Sequence, residues 1–281
     1  MAALIDCCRY LSHWLPAGTG IVLGRLLTSG WDWEPSVIIG CAALMVGYAF
    51  AMKPCLLNER IYFSAGVAIL FLALVSPLDT LADNYLFSAH MIQHLLLVQV
   101  VAPLLVLGFP RSSLKKILRR PLARQSERIL GRPLVAWSLG IGTFFAWHAP
   151  FLYNAALENE ELHVVEHLSM LVTAVIFWWP IITPAVETRL SPMTTLLYLM
   201  PAGMLGTFLG IMLAYAPTIL YSAYLHAADP LGMLSIIRQD WALSPKSDQQ
   251  LGGMLMWVPG SFVYVGTIFF RLVSWFSSAG E

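Results

Sequence analysis

Two pairs of histidines are the residues in this sequence whose chemistry is easiest to define. His90 and His94 form one pair, and His163 and His167 form the other. Residues four positions apart lie on the same face of an α-helix, so each pair presents two imidazoles side by side. Neutral imidazole is the commonest side-chain metal ligand, and it suits zinc, copper and iron. The spacing therefore predicts a metal site wherever the fold brings the two pairs together.

Other candidate ligands and ligand partners accompany the two pairs. His148 is a fifth histidine at the end of an apolar stretch, and Met170 extends the face of His163 and His167. Thioether sulfur favours Cu(I), so Met170 is a candidate soft ligand. Glu166 lies inside an apolar run, where a carboxylate must be paired, and ligating imidazoles need an acceptor for their second N–H. We expect copper, with zinc or haem iron as alternatives.

The composition places these residues in a membrane protein. Of 281 residues, 58% are hydrophobic and 11% are charged, whereas a soluble domain has about 25% charged residues. Lys and Arg together number 16, as do Asp and Glu, and no basic tail is present. These features exclude a soluble enzyme and a nucleic-acid-binding protein. The apolar runs are continuous and do not alternate, so the predicted fold is all-α and polytopic.

Seven charge-poor runs are candidates for transmembrane helices, each of which needs roughly 20 apolar residues. They are 36–52, 61–76, 88–109, 133–151, 162–183, 193–216 and 251–270. We therefore predict a seven-helix transmembrane domain over 36–271. An extracytoplasmic or interfacial segment, 1–35, precedes it and lacks the features of a cleaved signal peptide. A cytoplasmic tail, 272–281, follows it.

The orientation follows from the distribution of Lys and Arg. The loop over 110–132 contains eight of them and one acidic residue, which predicts a cytoplasmic location. Alternate connections then give the cytoplasmic side 12 basic and 4 acidic residues, and the outer side 4 basic and 11 acidic residues. The N-terminus is predicted outside and the C-terminus inside. All five histidines then lie near the outer ends of their helices, at a similar depth.

The four cysteines and the other two histidines are predicted to lie outside the histidine site. The cysteines, Cys7, Cys8, Cys41 and Cys55, do not form a disulfide framework, because two are adjacent and Cys55 faces the reducing cytoplasm. His13 and His226 lie in outer segments without a partner at helical spacing. A ligand role for Cys7, Cys8 or His226 stays open as an alternative.

Other chemistries fit part of the pattern. His163-Val-Val-Glu-His167 matches the H-x-x-E-H motif of zinc peptidases, in which the glutamate is the general base. Two histidine pairs exceed what one catalytic zinc requires. A haem- or quinone-binding redox protein is a second alternative, although such proteins usually hold histidines at both membrane depths. A copper transporter would need soft ligands through the whole bilayer, and the inner halves of these helices offer few.

Four blocks of sequence resemble the multi-spanning CtaG-type cytochrome c oxidase assembly factors. The first combines Phe87-Ser-Ala-His-Met-Ile-Gln-His94 with the segment 102–108, and the second is Trp147-His-Ala-Pro-Phe-Leu-Tyr153. The others are 162–168 with Phe177-Trp-Trp-Pro180, and 244–253 with Met256-Trp-Val-Pro-Gly260. The blocks occur in the family's order, and the likeness extends from about Trp33 to Arg271.

The resemblance implies a multi-pass protein of the bacterial plasma (inner) membrane that acts in respiratory chain biogenesis. It implies a non-enzymatic role in building a haem–copper oxidase, with copper handled on the outer side. Oxidase subunits and extracytoplasmic copper chaperones would be its partners. The family's polar positions match His90, Gln93, His94, His148, His163, Glu166, His167, Asp248 and Gln249. Gln93, Asp248 and Gln249 are expected to support the ligands, although Asp248 could instead cap the helix that it precedes.

Overall fold

The computed structural model describes residues 18–51 and 54–279, and these residues are helical with no β-strand. Cys7, Cys8 and His13, with most of the predicted N-terminal segment, lie outside the described residues. The helices are α1 (Thr19–Ser29), α2 (Pro35–Ala51), α3 (Leu57–Val75), α4 (Pro77–Asn84), α5 (Phe87–Leu107), α6 (Arg111–Ile117), α7 (Pro121–Leu130), α8 (Pro133–Trp147), α9 (Pro150–Glu158), α10 (Glu160–Ile182), α11 (Pro192–Tyr215) and α12 (Pro245–Ala279).

Five of these helices, α3, α5, α10, α11 and α12, are long and apolar enough to cross a membrane. The all-α prediction and the membrane assignment are therefore confirmed at this level. The first and fourth predicted spans correspond to α2 and α8, which have 17 and 15 residues. Helices α7 and α8 together are long enough for a span, but they meet at 72°. The count of seven spans therefore stays a prediction.

Helix α8 ends earlier than the predicted span over 133–151. It stops at Trp147, and His148 follows at its C-terminal end. Ala149 is extended, with a ψ of 125°, because the ring of Pro150 disfavours a helical residue before it. A separate helix, α9, then begins at Pro150. This break places His148 at the turn between two helices.

Helix α5 contains a π-helical turn over Leu97–Val101, directly after the second histidine. Pro103 has no N–H, so a carbonyl in the preceding turn needs another donor. The indole Nε1–H of Trp178 donates to the carbonyl of Val98 at 2.8 Å. This bond joins α5 to α10, four residues after His94 on α5 and eleven residues after His167 on α10.

Shorter elements pack around the end of the bundle at which α5 begins. Val22 of α1, Ala82 of α4, and Met233 and Ile237 of the segment over 216–244 share one buried apolar cluster. The guanidinium of Arg25 donates to the carbonyls of that segment at Leu231 and Gly232. These elements therefore pack as part of the protein, and their apolar cluster includes Ala89, next to His90.

Candidate metal centre

The two histidine pairs meet between α5 and α10. The ring centroid of His90 is 5.4 Å from that of His163 and 5.5 Å from that of His167. The rings of His94 and His167 are also 5.5 Å apart. Within the α5 pair, the two Nε2 atoms are separated by 2.9 Å. The structure thus brings together the four histidines that the helical spacing selected.

His148 lies beside this group, with its ring centroid 5.7 Å from that of His94. Its Nδ1 is 2.6 Å from the carbonyl oxygen of Phe144, so the Nδ1–H donates there and Nε2 keeps its lone pair. The hydroxyl of Tyr221 donates to the backbone carbonyl of His148 at 3.1 Å. A backbone carbonyl that accepts the second imidazole N–H is the usual arrangement behind a metal-ligating histidine.

Many polar atoms of the cluster are buried without a hydrogen-bond partner among the described residues. They are Nδ1 of His90, Nδ1 of His94, Nε2 of His148, Nε2 of His163, Nε2 of His167 and both carboxylate oxygens of Glu166. A buried polar group without a partner costs about 1–3 kcal/mol, and native proteins contain few of them. Unpaired nitrogen and oxygen atoms that lie close together in this way are the donor set that a metal cation needs.

Glu166 faces the histidines of the neighbouring helix. Its Oε1 lies 3.5 Å from Nε2 of His94 and 3.9 Å from Nε2 of His90, and its side chain is fully buried. A carboxylate at this distance can accept a proton from an imidazole or bind the same cation.

Two compact sets of donors form within the cluster. One consists of His90, His94 and His167, and the other of Asp83, His90 and His163. In each set, one ligand atom from every residue lies within 4.8 Å of the others. Metal–nitrogen bonds of 2.0–2.1 Å place two ligands of a tetrahedral ion about 3.3 Å apart. Small side-chain movements would therefore bring either set onto an ion.

Asp83 is the site residue that the sequence did not reveal. It lies on α4, and its Oδ1 is 3.6 Å from Nε2 of His163 and 3.9 Å from Nδ1 of His90. Burial raises the pKa of the Asp83 carboxyl well above its usual range, and the nearby carboxylates of Asp79 and Asp32 raise it further. A cation beside Asp83 would offset this repulsion. An acidic residue shortly before His90 was the only signal in the sequence.

Gln93 and Gln249, two of the predicted supporting residues, form hydrogen bonds with the segments around the cluster. The side-chain amide of Gln93 donates to the carboxylate of Asp79 at 2.7 Å and to the carbonyl of Ala73 at 2.8 Å. The side-chain oxygen of Gln249 accepts from the backbone N–H of Leu220 at 2.7 Å. Each glutamine therefore joins segments of the chain around the cluster. Neither is hydrogen-bonded to a histidine of the cluster among the described residues.

Asp248 caps α5, and not the helix that contains it. Its carboxylate accepts from the backbone N–H of Phe87 at 2.7 Å, and from the N–H and hydroxyl of Ser88 at 3.1 and 2.5 Å. Hydrogen bonds to a charged group contribute about 1.5–3 kcal/mol each, and the helix dipole favours an anion at this end. Asp248 thus fixes the first turn of α5, two residues before His90.

Met170 lies below the imidazoles. Its side chain is buried, and with His94 and His148 it lines a cavity of about 40 Å³. The structure therefore places this thioether next to the histidines without putting it in either compact donor set.

A second cavity, of about 1480 Å³, reaches His163 and His167 from the side of α2 and α3. Its lining includes six acidic residues: Asp32, Glu34, Asp79, Asp83, Glu158 and Glu160. Most of the remaining lining is apolar, and the acidic side chains attract ions of positive charge. The cavity therefore offers a route by which a cation can approach the cluster.

One family model matches this chain, that of the cytochrome c oxidase caa3 assembly factors, over residues 47–278. No curated protein and no solved structure matches it. The matched region covers more than four fifths of the sequence and contains every helix that contributes a histidine to the cluster. The chain therefore belongs to the family of cytochrome c oxidase caa3 assembly factors.

Proposed function

We propose that this protein binds copper at the histidine cluster and supports metallation of a haem–copper terminal oxidase. The observation that carries the proposal is the group of buried nitrogen and oxygen atoms that lack partners among the described residues. Membership of the family supplies the connection to oxidase assembly. Copper is then cargo, and oxidase subunits and extracytoplasmic copper chaperones are the proposed partners.

The donor set favours copper over harder cations. Five imidazoles surround a single buried glutamate, and imidazole binds copper more strongly than the other divalent metals of the first transition series. Magnesium and calcium prefer sites built from oxygen. Zinc fits the same ligand types, so metal content has to be measured directly.

The geometry gives less support to the alternative chemistries. A zinc peptidase would bind one ion through both histidines of its motif, but the two donor sets separate His163 from His167. For a haem site, a porphyrin would need space between opposed histidines. The ring centroids of neighbouring histidines in the cluster are only 4.3–5.7 Å apart. We therefore propose a metal-handling role without catalysis.

We further propose seven spans in a bacterial plasma membrane, with the cluster on the outer side. An alkaline phosphatase fusion after Asn159 is expected to be active, because the enzyme matures only outside the cytoplasm. The same fusion after Gln125 is expected to be inactive, since the basic loop stays inside. Measuring both activities at matched expression checks the orientation. An active fusion at Gln125 would show that the cluster faces the cytoplasm.

The metal proposal is tested by elemental analysis of the full-length protein purified in detergent. The wild type, loaded with copper and then dialysed, is expected to retain at least one copper per chain. A variant with all five cluster histidines changed to glutamine is expected to retain none, because every imidazole ligand is gone. His226→Gln is the matched control, since His226 is exposed and lies outside the cluster. Equal copper in the wild type and the five-fold variant would refute the site.

A further inference from the structure

The ring of His90 lies between two sets of donors. Its Nε2 is 2.9 Å from Nε2 of His94 on one side. On the other side, its Nδ1 is 3.9 Å from the carboxylate of Asp83, and that carboxylate is 3.6 Å from Nε2 of His163. The two ring nitrogens of this fully buried imidazole therefore face different neighbours. A single mononuclear ion would use only one of them.

The unused atoms are the second observation. Nδ1 of His90, Nε2 of His163 and Oδ1 of Asp83 are all buried and have no hydrogen-bond partner in the described part of the chain. An ion held only by His90, His94 and His167 would leave these three atoms unpaired. A second cation held by these three atoms would pair all of them at once.

We infer that the cluster binds two copper ions that share His90. The inner ion is held by His90, His94 and His167, and the outer ion by Asp83, His90 and His163. This inference rests on the proposed function and specifies how its cargo is held. Sharing one imidazole puts the ions at most about 6 Å apart, since each metal–nitrogen bond is roughly 2.0–2.1 Å. When the outer ion binds, Nδ1 of His90 releases its proton to water.

The two positions differ in chemistry and in access. The outer set contains a carboxylate and borders the large cavity at its acidic residues, whereas the inner set consists of imidazoles. The side chains of Asp83 and His163 are 27% and 14% exposed, and that of His90 is fully buried. Copper from outside therefore reaches the outer position first and passes inward by exchange of ligands around His90.

The test is titration of the metal-free full-length protein in detergent with Cu²⁺ alone. The wild type is expected to bind two ions per chain, while Asp83→Asn and His163→Gln each bind one. In both variants, the affinity of the outer position for Cu²⁺ should fall by more than about 10–100-fold. That range is the usual cost of losing a partner that does not bind the metal itself. Glu161→Gln is the matched control, because it removes one exposed carboxylate that lines neither cavity and lies outside both donor sets. It should still bind two.

Electron paramagnetic resonance of the wild-type protein gives a second test, which does not depend on the folding of a variant. Wild type loaded with two Cu²⁺ should show a coupled pair, with an integrated signal well below two spins per chain. Asp83→Asn should show one full mononuclear signal. A wild type that saturates at one copper, or an Asp83→Asn protein that keeps a coupled pair, would overturn the second site alone. A wild type that binds no copper would overturn the proposed function itself.

Discussion

Replacing His94 or His167 with alanine is expected to abolish cytochrome oxidase activity in cells, while the variant protein still accumulates in the membrane. Both residues belong to the inner donor set, so each change removes a direct ligand. Neither imidazole forms a hydrogen bond that joins helices among the described residues, so the bundle should survive the change. Oxidase activity of membranes, together with immunoblots of the variant, measures the two effects separately.

A control variant and added copper make this experiment more specific. His226→Ala is the control, because it removes an exposed imidazole outside the cluster, and it should leave oxidase activity unchanged. Excess copper in the medium should restore part of the activity in the His94 and His167 variants, since mass action fills a weakened site. Full oxidase activity in a stable His167→Ala strain would contradict a role for the cluster in assembly.

Glu166→Gln is expected to weaken copper binding by about 10–100-fold, the usual cost of losing a partner that tunes metal ligands. The carboxylate lies 3.5 Å from Nε2 of His94, and glutamine keeps the shape of the side chain without its charge. Oxidase activity should therefore fall at low copper and recover at high copper. A copper titration of purified protein and a copper series in cells measure these effects.

The same variant separates metal handling from hydrolysis. A zinc peptidase would lose its general base, so its function would disappear and extra metal would not restore it. Glu161→Gln is the matched control, because Glu161 is exposed on the same helix and should behave as the wild type. Complete loss of function with unaltered copper binding would count against the assembly role and favour a protease.

The sequence was sufficient to predict the helical membrane fold and the meeting of the histidine pairs. Helical spacing and span polarity are local properties, and they determine which side chains share a face and a depth. The helix that contains the predicted last span, 251–270, runs from Pro245 to Ala279 and so extends beyond the charge-free run that defined the span. In the structure, Asp248 caps α5, and the guanidinium of Arg271 donates to the carbonyl of Leu190. These charges are satisfied by residues far away in sequence, which apolar runs cannot reveal.

The position of Asp83 at the site could not be predicted from the sequence for the same reason. It belongs to a different helix from His90, and the intervening Tyr85 and Leu86 interrupt any helical periodicity between the two. Its proximity to His163, which lies on α10, depends on how the helices are arranged relative to one another. Such a contact is a property of tertiary packing, and no spacing rule within one helix predicts it.

The cap that Asp248 places on α5 has a consequence for biosynthesis. The donors of the cluster all lie within residues 83–167, so they leave the ribosome well before the last helix. The helix that holds His90 and His94 nevertheless receives its cap from Asp248, which lies 161 positions after Phe87 in the chain. Contacts of such long range form late, after the intervening segments have been made. The nascent chain therefore exposes its histidines before this cap can form, and the proposed copper centre is expected to be complete only once translation is nearly finished.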